Sequence, residues 1–110
     1  MKKFVFLFVG AELKPGDGSP LTQEYMRKWG EWAAGLAQSG ALESGLPLEW
    51  SGKTVSKEGA EDLSLLPLDI GGYMIINAES MDAAVEIAKG APNVALGGRI
   101  VVRPCLDVPM

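Results

Sequence analysis

The sequence predicts an α+β fold in which one β-α-β unit is followed by another, and three observations point to it. Segments 4–9, 70–77 and 99–103 are short apolar runs rich in β-branched and aromatic residues, as strands are. Stretches 20–39 and 81–89 repeat apolar residues at helical spacing and are followed by Gly40 and Gly90, where glycine stops a helix. A length of 110 residues with 47% hydrophobic content suits one domain, residues 1–110, with a modest core.

Phe4-Val5-Phe6-Leu7-Phe8-Val9 is apolar at every position and reads as a strand buried on both faces. Residues 10–18, with Lys14-Pro15-Gly16-Asp17-Gly18, read as a loop. Ser19 offers an N-cap and Pro20 the favoured first helical position. Leu21, Tyr25, Met26, Trp29, Trp32, Ala33, Leu36 and Ala37 form a wide apolar stripe from there to Ser39. Gly30 and Gly35 each cost this helix about 1 kcal/mol relative to alanine. Close approach, either to a sheet or to a bound ligand beside Trp29 and Trp32, is the expected reason.

Residues 41–50 read as a second extended segment and Lys53-Thr54-Val55-Ser56 as a third, with Ser51-Gly52 as the turn of a hairpin between them. Residues 57–69 have no clear period and read as a loop with a turn of helix at 60–63. In the strand from Ile70 to Asn77, the paired Gly71-Gly72 indicates a bulge or a close backbone contact. Ser80 caps the second helix, whose expected buried stripe is Met81, Ala84, Val85 and Ala88. A loop over 93–98 leads to the last strand, Arg99 to Arg103, stopped by Pro104.

The resulting order, β-α-β-(β)-β-α-β, is the split pattern of a ferredoxin-like fold, with both helices on one face of an antiparallel sheet. Strands with apolar residues of both parities need cover on the other face as well. A second copy of the chain is the economical way to supply it, so a homodimer with its sheets back to back is expected.

Composition excludes whole classes of chemistry. The chain has no histidine, which removes Ser-His-Asp, Cys-His and His-ligated metal mechanisms. Its single cysteine, Cys105, allows neither an internal disulfide nor a cysteine metal cluster, and an unpaired thiol fits a reducing cytoplasm. A net charge of −4, with no basic run longer than Lys2-Lys3, argues against nucleic acid and against an anionic membrane surface. Met1-Lys2-Lys3 and the apolar run after it have the outline of a secretory leader, but Glu12, Leu13 and Lys14 follow where a cleavage site belongs. A buried strand is expected there instead, and no window is long and apolar enough to span a membrane.

Several segments together resemble the YCII-related family: 19–32 with Tyr25-Met26-Arg27-Lys28-Trp29-Gly30-Glu31-Trp32, then 36–40, Gly52-Lys53-Thr54-Val55-Ser56, Gly71-Gly72-Tyr73-Met74-Ile75-Ile76, 83–92 and Val102-Arg103-Pro104. The resemblance runs in order along nearly the whole chain. It implies a dimeric α+β barrel built from a ferredoxin-like βαββαβ protomer. Many members carry an Asp-Gly-Pro-Phe (DGPF) motif after the third strand, where this chain has Lys57-Glu58-Gly59-Ala60 and keeps the glycine alone. The His-Asp pair assigned to catalysis in some members is excluded here by composition. Roles proposed in the family range from small enzymes to ligand-binding accessory proteins.

The candidate site residues divide by chemistry. Trp29, Trp32 and Trp50 are either packing residues or the aromatic wall of a cleft between helices and sheet. Arg99 and Arg103 share one face of the last strand, as a solvated or dimer-rim pair or as an anchor for a carboxylate or phosphate. Asp69, beside the Gly71-Gly72 pair, is the acidic residue best placed for proton transfer, with Tyr73 or Arg103 to stabilise charge. No cofactor or metal is expected. A homodimeric module that binds a small molecule in this cleft is the leading reading. A cofactor-free lyase, isomerase or oxygenase using Asp, Tyr and Arg is the alternative, and a regulatory interaction protein is the third.

Overall fold

Alternation along the first strand sets the two faces of the sheet. In a computed structural model describing residues 1–10, 20–49, 51–62 and 70–107, β1 (Lys2–Val9) buries Phe4, Phe6 and Phe8 and leaves Val5 and Leu7 half-buried. The elements that follow are α1 (Pro20–Ser39), β2 (Leu42–Pro47), β3 (Lys53–Ser56), β4 (Gly59–Asp62), β5 (Ile70–Ala78), α2 (Met81–Ala88), α3 (Pro92–Ala95) and β6 (Arg99–Pro104). Four of the strands pair antiparallel in the order β2-β5-β1-β6, the ferredoxin-like arrangement expected from the sequence. The Ser19 cap, the loop over 11–18 and the segment 63–69 lie outside the described residues.

Register explains the core. Phe4 pairs with Ile76, Phe6 with Met74 and Phe8 with Gly72, while Phe6 and Phe8 meet Val102 and Ile100 on the other side. These residues share one face, onto which α1 lays Trp29, Trp32 and Leu36 and α2 lays Ala84 and Ala88. Each buried phenylalanine contributes about 1.5–3 kcal/mol, so β1 is the centre of the core energetically as well as spatially. At the end of α1, Gly40 adopts φ +83°. Its N–H donates to the Ala37 carbonyl at 3.2 Å while the Ala41 N–H reaches back to Leu36 at 3.0 Å, the paired bonds of a Schellman stop.

Four local expectations need correction. Ser51-Gly52 does not turn β2 into β3: β2 pairs with β5, and β3 pairs with β4 across a turn at Lys57-Glu58. β2 brings Leu42 against the core, whereas every residue of β3 and β4 is exposed and has no apolar face to compete for the sheet. Ala60 to Asp62 accordingly extend as β4 rather than forming a helical turn. In α2, Ser80 accepts the Ala83 N–H at 3.1 Å as expected, but Met81 and Val85 are exposed. Ala84 and Ala88 are buried as expected, and Ala83 and Ile87 rather than Met81 and Val85 lie beside them, because small side chains let the helix sit close to the sheet. Residues 92–95 form the short helix α3 within what was expected to be a loop.

The second face of the sheet carries Val5, Leu7, Tyr73, Ile75 and Val101 in register, with Leu46 opposite Tyr73. Val101 is 42% and Leu46 62% exposed. No described element lies over this face.

Candidate functional site

A strip of glycines makes room between α1 and the sheet. Pairing passes from Phe8–Gly72 to Val9–Ile70, so Gly71 is bulged out of the ladder, as the paired glycines led one to expect. A Cβ on Gly72 would lie 3.2 Å from the Leu46 carbonyl, and one on Gly45 would lie 2.6 Å from the Tyr73 carbonyl. β2 and β5 therefore meet at close range through positions that carry no side chain. Above this strip, α1 presents Tyr25 and Trp29 and, on the adjoining row, Met26, Gly30 and Ala33.

The space enclosed is a cleft of about 350 Å³, within the usual size range of small-molecule sites. Its walls include Phe8, Leu42 and Met74, and Asn93 borders it. Trp29 is the hub of the aromatic wall. It meets Phe8 edge-to-face with centroids 4.9 Å apart, Trp32 at 5.5 Å and Tyr25 at 6.0 Å. Such pairs add about 0.5–1.5 kcal/mol each beyond area burial and fix the ring planes.

The expectation that Gly30 and Gly35 permit close protein packing is not met among the described residues, since a Cβ at either position would meet none of their atoms within 4 Å. Gly30 opens the roof of the cleft, and Gly35 lies on exposed helix away from it.

The electrostatics are simple. None of the described residues lining the cleft is charged. Tyr25 is buried, and desolvation pushes its phenol above the ordinary range, with the Trp29 indole acting the other way. Asn93 is 2% exposed; its Nδ2 donates to the Arg99 carbonyl at 3.2 Å, and its Oδ1 has no partner among the described residues.

The sequence-derived candidates separate in space. Trp29 lines the cleft, whereas Trp32 faces the groove beside α3, where a Cβ on Gly90 would lie 3.0 Å from its Nε1. Tyr73 borders the cleft, but its pairing with Leu7 and Leu46 assigns its side chain to the opposite face. Arg99 and Arg103, paired with Val9 and Val5, are exposed on β6 and are not among the cleft residues. Trp50 and Asp69 lie outside the described residues. Phe8, Tyr25, Met74 and Asn93 were not singled out from the sequence. Tyr25 had a legible signal, because it precedes Trp29 and Trp32 by four and seven residues on one helical face. Among the described residues, no cluster of acidic or sulfur ligands could hold a metal ion, and no helix is long and apolar enough to cross a membrane.

The family model of the YCII-related domain matches residues 7–107. This chain belongs to the YCII-related domain family. No curated protein matches it. Among solved structures, this YCII-related chain resembles 5-chloro-2-hydroxyhydroquinone dehydrochlorinase from Burkholderia phenoliruptrix, in complex with 2,5-dihydroxybenzoquinone. That likeness has a TM-score of 0.58 at 15% identity and covers 94% of this chain and 93% of the other, so it is a likeness of fold. Within the YCII-related frame, the glycine retained in Lys57-Glu58-Gly59-Ala60 has φ +130°, a conformation that side chains rarely adopt, at the turn joining β3 and β4.

Proposed function

We propose that the protein is a homodimeric module that binds a small molecule in the cleft between α1 and the sheet. The cleft itself carries this reading: it is apolar, walled by mutually braced aromatic rings and floored by glycines where none of the described residues fills the space. The bare second face supports the dimer. Val5, Leu7, Tyr73, Ile75, Val101 and Leu46 make a contiguous apolar surface, and surfaces of that kind mark interaction sites. A second copy offers the same surface and closes the pair by two-fold symmetry. The lone exposed Cys105 agrees with a reducing cytoplasmic setting.

Trp29 reports on the cleft directly. Intrinsic fluorescence of the protein titrated with a panel of neutral aromatic metabolites is expected to change saturably, and the change should disappear in Trp29→Phe. A flat response across the panel overturns the binding reading and favours an interaction protein. Sedimentation is expected to give a dimer at micromolar concentration, and a stable 11.7 kDa monomer overturns that part.

A second reading, a cofactor-free enzyme, is favoured by one observation: a dehydrochlorinase uses this fold to hold a small quinone. In a chain without histidine, Asp69 would act as base, with Tyr73 or an arginine stabilising charge. Asp69→Asn leaving a detected turnover unchanged removes it from that role.

A further inference from the structure

Asn93 holds a buried polar atom without a hydrogen-bond partner among the described residues. Its Nδ2 is committed to the Arg99 carbonyl, and its own backbone carbonyl accepts the N–H groups of Leu96 at 3.1 Å and Gly98 at 2.8 Å. Exchanging the positions of Oδ1 and Nδ2 gives no remedy, because the Arg99 carbonyl would then face an acceptor. Oδ1 remains shielded from bulk water with no donor among the described residues. A buried acceptor in that state costs about 1–3 kcal/mol, and native structures usually assign such an atom a water or a ligand. Asn93 borders the cleft whose other described lining residues are apolar apart from the two tyrosines, and none is charged.

Two constraints on the occupant follow. A carboxylate or phosphate entering this cleft would lose its hydration without gaining a countercharge from any described lining residue, which favours a neutral ligand. The orphaned oxygen accepts and does not donate, so the ligand carries an O–H or N–H.

Resting on the reading of the cleft as a binding site, we propose that it takes a neutral planar aromatic molecule bearing a hydroxyl or N–H group, and that Asn93 Oδ1 accepts this hydrogen bond. The rings of Phe8 and Trp29, nearly perpendicular to each other at 87°, offer both an edge and a face to such a ring. Shielding from water strengthens the bond that Oδ1 accepts and gives it orienting value.

The test compares three probes on the wild-type protein by tryptophan fluorescence or calorimetry: 2-naphthol, 2-methoxynaphthalene and naphthalene. 2-Naphthol is expected to bind at least about fivefold more tightly than either of the others, the factor that corresponds to about 1 kcal/mol. Naphthalene is smaller and more apolar than 2-naphthol, so neither bulk nor hydrophobicity can account for that order. A preference below fivefold overturns the role of Asn93 while leaving the binding cleft intact. Failure of all three probes to bind overturns the cleft reading itself. In Asn93→Leu the preference is expected to vanish while naphthalene still binds; a preference that survives in the folded variant also overturns the proposal. The wild-type ratio stands alone should that variant fail to fold.

Discussion

Replacing Gly30 or Gly35 by alanine should stabilise the protein, and only one of the two replacements should impair binding. Both glycines are interior positions of the 20-residue helix α1, neither has a positive φ, and an added Cβ meets no atom of the described residues within 4 Å at either site. The change is therefore governed by helix propensity and by the entropy of the unfolded chain, about 0.8–1 kcal/mol for each glycine. For a domain of this length that corresponds to about 4 °C in Tm. With no shared packing, the double variant should show the sum, about 2 kcal/mol. Thermal and urea melts by circular dichroism, at one fixed protein concentration because dimerisation makes Tm concentration-dependent, measure it. Gly30 lines the cleft and Gly35 does not, so Gly30→Ala should weaken binding of 2-naphthol while Gly35→Ala leaves it unchanged. A neutral or destabilising Gly30→Ala would mean that the space around it is occupied, and the open roof of the cleft would have to be abandoned. Equal binding by both variants would separate Gly30 from the binding space.

Three further outcomes can be checked on the same preparations. Gly45→Ala should lose about 1–3 kcal/mol by urea denaturation, because its Cβ would meet the Tyr73 carbonyl at 2.6 Å and the Met74 Cα at 2.9 Å, backbone atoms that cannot rotate away. Ser80→Ala should cost about 1 kcal/mol by removing the acceptor for the Ala83 N–H at the start of α2. Burial raises the Tyr25 phenol above its ordinary value, so the unfolded chain ionises first and stability falls as pH climbs from about 10 towards the folded value. Tyr25→Phe should flatten that part of the alkaline stability profile, and an unchanged slope would refute the assignment.

The fold was readable where two independent patterns agreed. In the last strand the Ile100–Val102 pattern and the proline stop, and in α1 the apolar stripe together with Gly40, marked elements close to their observed limits. The β3–β4 hairpin was missed because its signal lies in what it lacks: Lys53 to Asp62 has no apolar face, so nothing ties it to the main sheet. Choosing between two possible turns, Ser51-Gly52 and Lys57-Glu58, then depends on which partner β2 finds, a long-range competition that local turn chemistry does not encode. The cleft was legible through Trp29 and the glycine pair at 71–72, whereas Asn93 was not. Nothing local distinguishes it from any loop asparagine, and its significance comes from being sealed beneath the β1 and β6 strand ends, where a Cβ on Gly98 would lie 2.1 Å from the Gly10 carbonyl and 2.9 Å from Asn93 Nδ2.

The missing histidine and the uncharged cleft constrain function in the same direction. Arg99 and Arg103, the cations that could have anchored an acidic ligand, share the sheet face with Val101, away from α1. Placing them there leaves the cleft with the Tyr25 phenol and the Asn93 amide as its polar side chains among the described residues, since the Tyr73 side chain belongs to the opposite face. Those groups orient a neutral molecule well and move protons poorly near neutral pH, since burial takes the Tyr25 phenol further from that range. Chemistry on a bound ligand would thus require a group other than the described walls, whereas recognition needs no more than those walls already provide. The charge of the best ligand is therefore the most discriminating variable to measure: a neutral preference is what the cleft residues demand, and an anionic one would move the binding site to the arginine face.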